Sequence, residues 1–107
     1  MAKQFTDANF DEEVLMASAE KPVLVDFFAG WCAPCMMQGP IVDEVSNMMG
    51  EKAVVGKLDT ESSSNTARTY GVMSIPTLLV FRNGEVVKQF VGVQSKDALI
   101  NALNTNM

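Results

Sequence analysis

Histidine is absent from this 107-residue chain. Its absence excludes Ser-His-Asp and Cys-His catalysis, imidazole metal ligation and pH switching by imidazole. Cysteine is scarce: with two in the whole chain, neither a four-cysteine zinc site nor one of two cysteines and two histidines can be assembled from it. Basic residues are also few, eight against thirteen acidic ones, for a net charge of −5. They are scattered, so no patch suits a phosphate backbone and nucleic acid is not an expected partner. No apolar run approaches the roughly 20 residues of a membrane helix, so no membrane partner is expected. The start, Met1-Ala2-Lys3-Gln4-Phe5-Thr6-Asp7, has no apolar stretch like that of a signal peptide, and the expected location is the cytoplasm, where thiols are kept reduced. Linkers, repeats and long charge runs are missing too. The expectation is one domain over residues 1–107, working as a monomer.

What is present suits a globular domain. Hydrophobic residues make up 48% and charged residues 20%, too apolar for disorder. A chain of this size buries roughly two-thirds of its surface, enough for a core without staples. The eight methionines read first as adaptable core filler.

Lys3-Gln4-Phe5 reads as a short edge strand. Thr6 or Asp7 is placed to cap a helix whose apolar residues are Phe10, Val14 and Leu15, with Asp11, Glu12 and Glu13 in its first turns and Lys21-Pro22 ending it. Val23 to Ala29 is β-branched and aromatic, a buried strand. Ala33 to about Met49 reads as a helix with Met37, Ile41, Val45 and Met48 on its apolar face, Pro40 inside it, where it should kink the helix, and Gly50 as the stop. Ala53 to Asp59 is another strand. Glu61 to Asn65 offers caps for a short helix ending near Tyr70-Gly71. Thr77 to Phe81 and Glu85 to Val91 are strands joined by Asn83-Gly84, a strong hairpin signal. Ser95 caps a last helix carrying Ala98, Leu99, Ala102 and Leu103. The order β-α-β-α-β-α-β-β-α predicts a mixed five-stranded sheet with four helices on its two faces. Chemistry in such sheets sits beyond the C-terminal ends of parallel strands, and Cys32 and Cys35 follow one of them.

Three readings of Cys32-Ala33-Pro34-Cys35 compete. As a structural staple it closes only a four-residue loop, worth about 1.9 kcal/mol in the chain-entropy account. As a metal site it supplies half a tetrahedron. As an exchange pair the spacing is accounted for directly: one thiolate attacks a disulfide and a second thiol reaches back to release the mixed disulfide. Cys32 stands where unpaired backbone N–H groups and the helix dipole favour negative charge, so it is the expected nucleophile. Cys35, one turn further in, is the expected resolving thiol and the more buried of the two. Pro34 suits a helix's first turn and stiffens the loop. Asp26 interrupts an apolar run. It is either a strand-end acid reaching solvent or a buried one that stays protonated or finds a partner. Pro76 alone reads as a strand-starting proline.

The stretch Val25-Asp26-Phe27-Phe28-Ala29-Gly30-Trp31-Cys32-Ala33-Pro34-Cys35 resembles the active-site segment of the thioredoxin family. The likeness continues through Pro40, Lys57-Leu58-Asp59, Ser74-Ile75-Pro76-Thr77, Asn83-Gly84 and Val91-Gly92, in order and spacing. The resemblance implies the thioredoxin fold, an α/β class, and a protein-disulfide reductase with no bound cofactor beyond its redox-active dithiol. It implies disulfide-containing protein substrates and a partner thioredoxin reductase that draws on NADPH. It makes Asp26 a buried general base for Cys35, with Lys57 tuning it, and Ile75-Pro76 a cis peptide packed on the dithiol. Trp31, Ala33, Met73, Ser74, Ile75, Gly92 and Val93 would frame the substrate-binding face. Four residues depart from the family pattern: Ala33 replaces a usual glycine, Met36 a basic residue, Phe28 a tryptophan and Gly30 a larger residue. Two other functions compete: a redox-silent binding subunit of the same fold, and a disulfide oxidase or isomerase. The set Asp26, Cys32, Cys35 and Pro76 argues against the first, and the missing secretory signal against the second.

Overall fold

A computed structural model describes residues 1–107. Five strands, β1 (Lys3–Phe5), β2 (Val23–Phe28), β3 (Val54–Asp59), β4 (Thr77–Arg82) and β5 (Glu85–Val91), form one sheet in the order β1-β3-β2-β4-β5. β1 and β2 run parallel to β3, while β4 is antiparallel to β2 and to β5. Three α-helices, α1 (Ala33–Met49), α2 (Ser64–Thr69) and α3 (Lys96–Asn104), lie against it. No helix is long and apolar enough to cross a membrane.

Strand alternation divides the core in two. Leu24, Val55, Leu78 and Val80 face α1 and α3, where Val42, Val45, Met49, Leu99 and Leu103 meet them. Val23, Val25, Phe27, Leu58, Leu79 and Phe81 face the other way, onto Phe10, Val14 and Ala67. Each fully buried Leu or Phe in these layers contributes about 1.5–3 kcal/mol. Asp26 falls between Val25 and Phe27, so the same alternation points it to the α1 side. The hairpin forms as the Asn83-Gly84 pair predicts: Arg82 pairs with Glu85, and both turn residues have positive φ, 55° and 78°.

The first of the four expected helices is not an α-helix: Asp11–Met16 winds wide as a π-helix and tightens to a 3-10 turn over Ala17–Ala19. Its buried residues, Phe10, Val14 and Ser18, recur every four positions, a spacing longer than the 3.6-residue turn. Thr6 and Asn9 close the turn ahead of this segment, Thr6 Oγ1 accepting the Asn9 N–H and Asn9 Oδ1 the Thr6 N–H, while the segment itself starts at Phe10 with no side-chain cap. Asp7 instead reaches across to α2. Its carboxylate accepts the N–H groups of Asn65 and Thr66 and the Thr66 hydroxyl, and it caps α2 where Ser63 does not. The Thr66 hydroxyl, then its N–H, holds the Asp7 carboxyl below the usual range.

The buried stripe of α1 is also different. Cys35, Gln38, Val42, Val45 and Met49 face inward, while Met37 and Met48 are exposed. Gln38 hides this stripe in the sequence because a polar residue occupies a core position. Its burial is tolerated because its amide is satisfied at both ends, as Nε2 donates to Gln94 O (3.1 Å) and Oε1 accepts from Gln94 N–H (2.7 Å). α1 runs unbroken through Pro40 and ends at Gly50, whose φ is 55°.

Candidate active site

β2 ends at Phe28, and the chain turns through Gly30-Trp31 into α1. Cys32 is the N-cap of α1, and its Sγ accepts the Cys35 N–H at 3.2 Å. Pro34 occupies the first turn, where its missing N–H costs no hydrogen bond. Cys32 and Cys35 are joined as a disulfide with Cα atoms 5.2 Å apart. The two are buried to the same degree, 4% and 5% exposed, so the expectation that Cys35 is the more buried is not met. Phe28 and Ile75 pack against the pair, and the Ile75 carbonyl oxygen lies 3.8 Å from Cys32 Sγ.

The Ile75-Pro76 peptide is cis, as the resemblance implied. Around it the chain forms an apolar rim. Trp31 is 71% exposed and Met73 95%, and Met36, Val91 and Val93 are exposed as well. Ala33 and Ser74 are exposed, and Ile75 and Gly92 half-buried. Three segments make this rim, and hydrogen bonds tie them together. Gly92 N–H donates to Pro76 O at 2.8 Å, and the Gln38 amide clamps Gln94 to α1. Gly92 adopts φ 91°, a conformation that side-chain-bearing residues rarely take. Gly30 is not required by space, since a Cβ there would meet nothing within 4 Å.

Beneath α1 sits Asp26, 1% exposed, with no protein donor on either carboxyl oxygen. Its register partners are Lys57 on β3 and Leu78 on β4. Burial pushes the Asp26 carboxyl up to about 7, against the pull of the Lys57 ammonium and with help from the Asp43 charge. The acid is therefore buried, not a strand-end group in water. Lys57 does not bond to it: Lys57 Nζ pairs with Asp43 Oδ2 at 3.2 Å. A pocket lined by Phe28, Ala29, Gly30, Cys35, Met36, Gly39 and Lys57 opens beside these groups.

The thioredoxin family model matches residues 1–105 of this chain. The chain belongs to the thioredoxin family. A thioredoxin of Synechocystis is 48% identical over 100 residues, covering 94% of this chain and 92% of the relative. A thioredoxin of Mycobacterium tuberculosis is 46% identical over 99 residues, covering 92% and 84%. A thioredoxin of Rickettsia felis is 41% identical over 107 residues, the whole of both chains. With the Cys32–Cys35 pair in place, the protein is a thioredoxin-type dithiol–disulfide reductase, an oxidoreductase acting on protein disulfides. Family membership brings disulfide-containing substrates and a partner reductase in general terms.

Asp43 and Gln38 lie beside the site groups but are not among the residues the sequence singles out. The signal for Asp43 was present: Cys35, Gly39 and Asp43 recur every four residues, on one side of α1. Nothing local marks Gln38, because its partner is 56 positions away.

Ala33 sits exposed in the first helical turn. Alanine's helix preference over glycine is about 1 kcal/mol, and 30 mV corresponds to about 1.4 kcal/mol. Ala33→Gly is expected to move the dithiol's reduction potential by less than about 30 mV in a glutathione equilibration. A shift beyond about 100 mV would show that the Ala33 side chain acts on the sulfurs by some route other than helix propensity.

Proposed function

We propose that this chain is a monomeric, single-domain, cytoplasmic general protein-disulfide reductase, recharged by an NADPH-dependent thioredoxin reductase. The observation that carries the reading is the Cys32–Cys35 pair at a helix N-terminus, rimmed by exposed apolar groups and set above a buried, unpartnered Asp26. In the reduced protein, Cys32 is the nucleophile. Its sulfur caps the helix and receives the Cys35 N–H, which favours the thiolate.

The Cys32 thiolate attacks one sulfur of a substrate disulfide. A mixed disulfide forms and the first substrate thiolate leaves, taking a proton from solvent. Asp26, ionised, then takes the Cys35 proton directly or through a water. The Cys35 thiolate attacks Cys32 Sγ, the Cys32–Cys35 bond forms and the second substrate thiolate departs. Two electrons have passed from the dithiol to the substrate. Lys57 tunes Asp26 by its charge. Pro34 holds the helix start. Pro76 keeps the Ile75 backbone turned toward the dithiol, where an extended substrate segment pairs as an added strand. Trp31, Ala33, Met73, Ser74, Gly92 and Val93 receive that segment's side chains.

The test is a coupled assay with NADPH, a bacterial thioredoxin reductase and insulin. Insulin-dependent NADPH oxidation that needs this chain is the expected result. Insulin reduction with dithiothreitol but none with reductase and NADPH would remove the proposed electron source while leaving the disulfide chemistry intact.

A further inference from the structure

Lys57 lies within the field of two carboxylates. Asp26 is its register partner on β2, on the same face of the sheet, yet neither Asp26 oxygen meets a donor. The lysine instead bonds to Asp43 on α1. Asp43 is itself fixed, because its other oxygen accepts the Ala2 N–H at 3.1 Å. Partial burial opposes ionisation of Asp43, but the Ala2 N–H and the Lys57 ammonium outweigh it and hold its carboxyl below the usual range. Gly39 lies next to the ammonium: a Cβ there would come into ordinary contact with Lys57 Nζ, at 3.4 Å. The ammonium is thus held against α1, at the wall of the pocket that Cys35 also lines.

We propose that Asp43 is a positioning residue for disulfide exchange: it holds the Lys57 ammonium on the α1 side of the pocket and so sets the charge that Asp26 faces when it accepts the Cys35 proton. This rests on the reading of Asp26 as the base for Cys35. The charged and titratable groups facing Asp26 are Lys57 from β3, Asp43 from α1 and, in the reduced protein, Cys35 at the start of α1, while β4 contributes the non-titrating Leu78. With Asp43 in place, the positive charge of Lys57 is shared, and Asp26 stays protonated to a higher pH than it would beside a free ammonium. Removing the Asp43 charge leaves the whole ammonium to Asp26 and favours the ionised base.

The experiment follows the Asp26 carboxyl by carbon-13 NMR across pH in the full chain with its disulfide formed. Asp43→Asn keeps an oxygen for the Ala2 N–H and, being partly exposed, leaves the core untouched. The expected result is an Asp26 midpoint lowered by about half a pH unit or more, a roughly threefold or larger loss of proton affinity. In a Lys57→Met background the same substitution should move the midpoint by less than half as much. In the reduced protein, the pH dependence of mixed-disulfide release should shift downward with the midpoint. An unmoved midpoint, or an equal shift with and without Lys57, overturns the positioning role, the latter because Asp43 would then act through its own field alone. If Asp26→Asn leaves the pH dependence of release unchanged, the base role of Asp26 fails instead, whatever the NMR midpoints show.

Discussion

Cys32→Ser is expected to leave no catalysed insulin reduction above the dithiothreitol background. A serine hydroxyl keeps the position at the helix N-cap, and even the hydrogen bond from Cys35 N–H, but is not ionised at neutral pH and forms no disulfide. Cys35→Ser is expected to fail differently. Cys32 still attacks, the mixed disulfide is not released, and the protein is recovered covalently joined to its substrate in a one-to-one ratio. Alkylation of the reduced wild-type chain separates the two sulfurs. Backbone N–H groups at the start of α1 favour a Cys32 thiolate, so Cys32 should label about tenfold faster than free cysteine at pH 7. Equal labelling of the two at the free-cysteine rate would remove the assigned nucleophile.

Asp26→Ala should make the protein more stable and slower. The unfolded carboxyl ionises near 3.8, the folded one near 7. Below about pH 4 both states are protonated and the buried acid costs little. Between 4 and 7 the unfolded chain alone ionises, so stability falls as pH rises. Above 7 both states are ionised and the penalty levels off at about 4 kcal/mol. The alanine variant escapes this penalty but leaves a small void, for a net gain of about 3 kcal/mol at pH 8 and a net loss of about 1 kcal/mol at pH 3. Urea unfolding at the two pH values reads the difference. The same variant should release mixed disulfides about tenfold or more slowly at pH 7, since the Cys35 proton must then go to solvent. A midpoint that falls on substitution at pH 8 would contradict the burial of an unpartnered acid.

Local signals placed much of this fold correctly. The β-branched and aromatic runs became β2, β3 and β4, Asn83-Gly84 made the two-residue hairpin, and Ser95 caps α3 by accepting the Ala98 N–H. These features depend on neighbours within a few residues, which a linear reading contains. The Cys32-Ala33-Pro34-Cys35 segment was legible for the same reason, because a dithiol that closes on itself needs two cysteines one helical turn apart. The readings that failed depend on distant residues. Asp7 leaves its own helix to cap α2, 59 positions away at Thr66. Gln38 becomes a core residue because Gln94 satisfies it. Cys32 is as hidden as Cys35, and among the groups packed on the pair is Ile75, 43 positions from Cys32.

Hydrophobic period, turn residues and helix caps are short-range properties, and they suffice for the element order, the mixed sheet and the place of the dithiol at the end of β2. The state of Asp26 and the partner of Lys57 come instead from packing between distant segments. Whether an acid in an apolar run meets water or protein depends on which strand lies beside it and which helix lies above it. That choice is made by strand register and by the packing of α1, and it sets the electrostatic environment in which the second sulfur loses its proton.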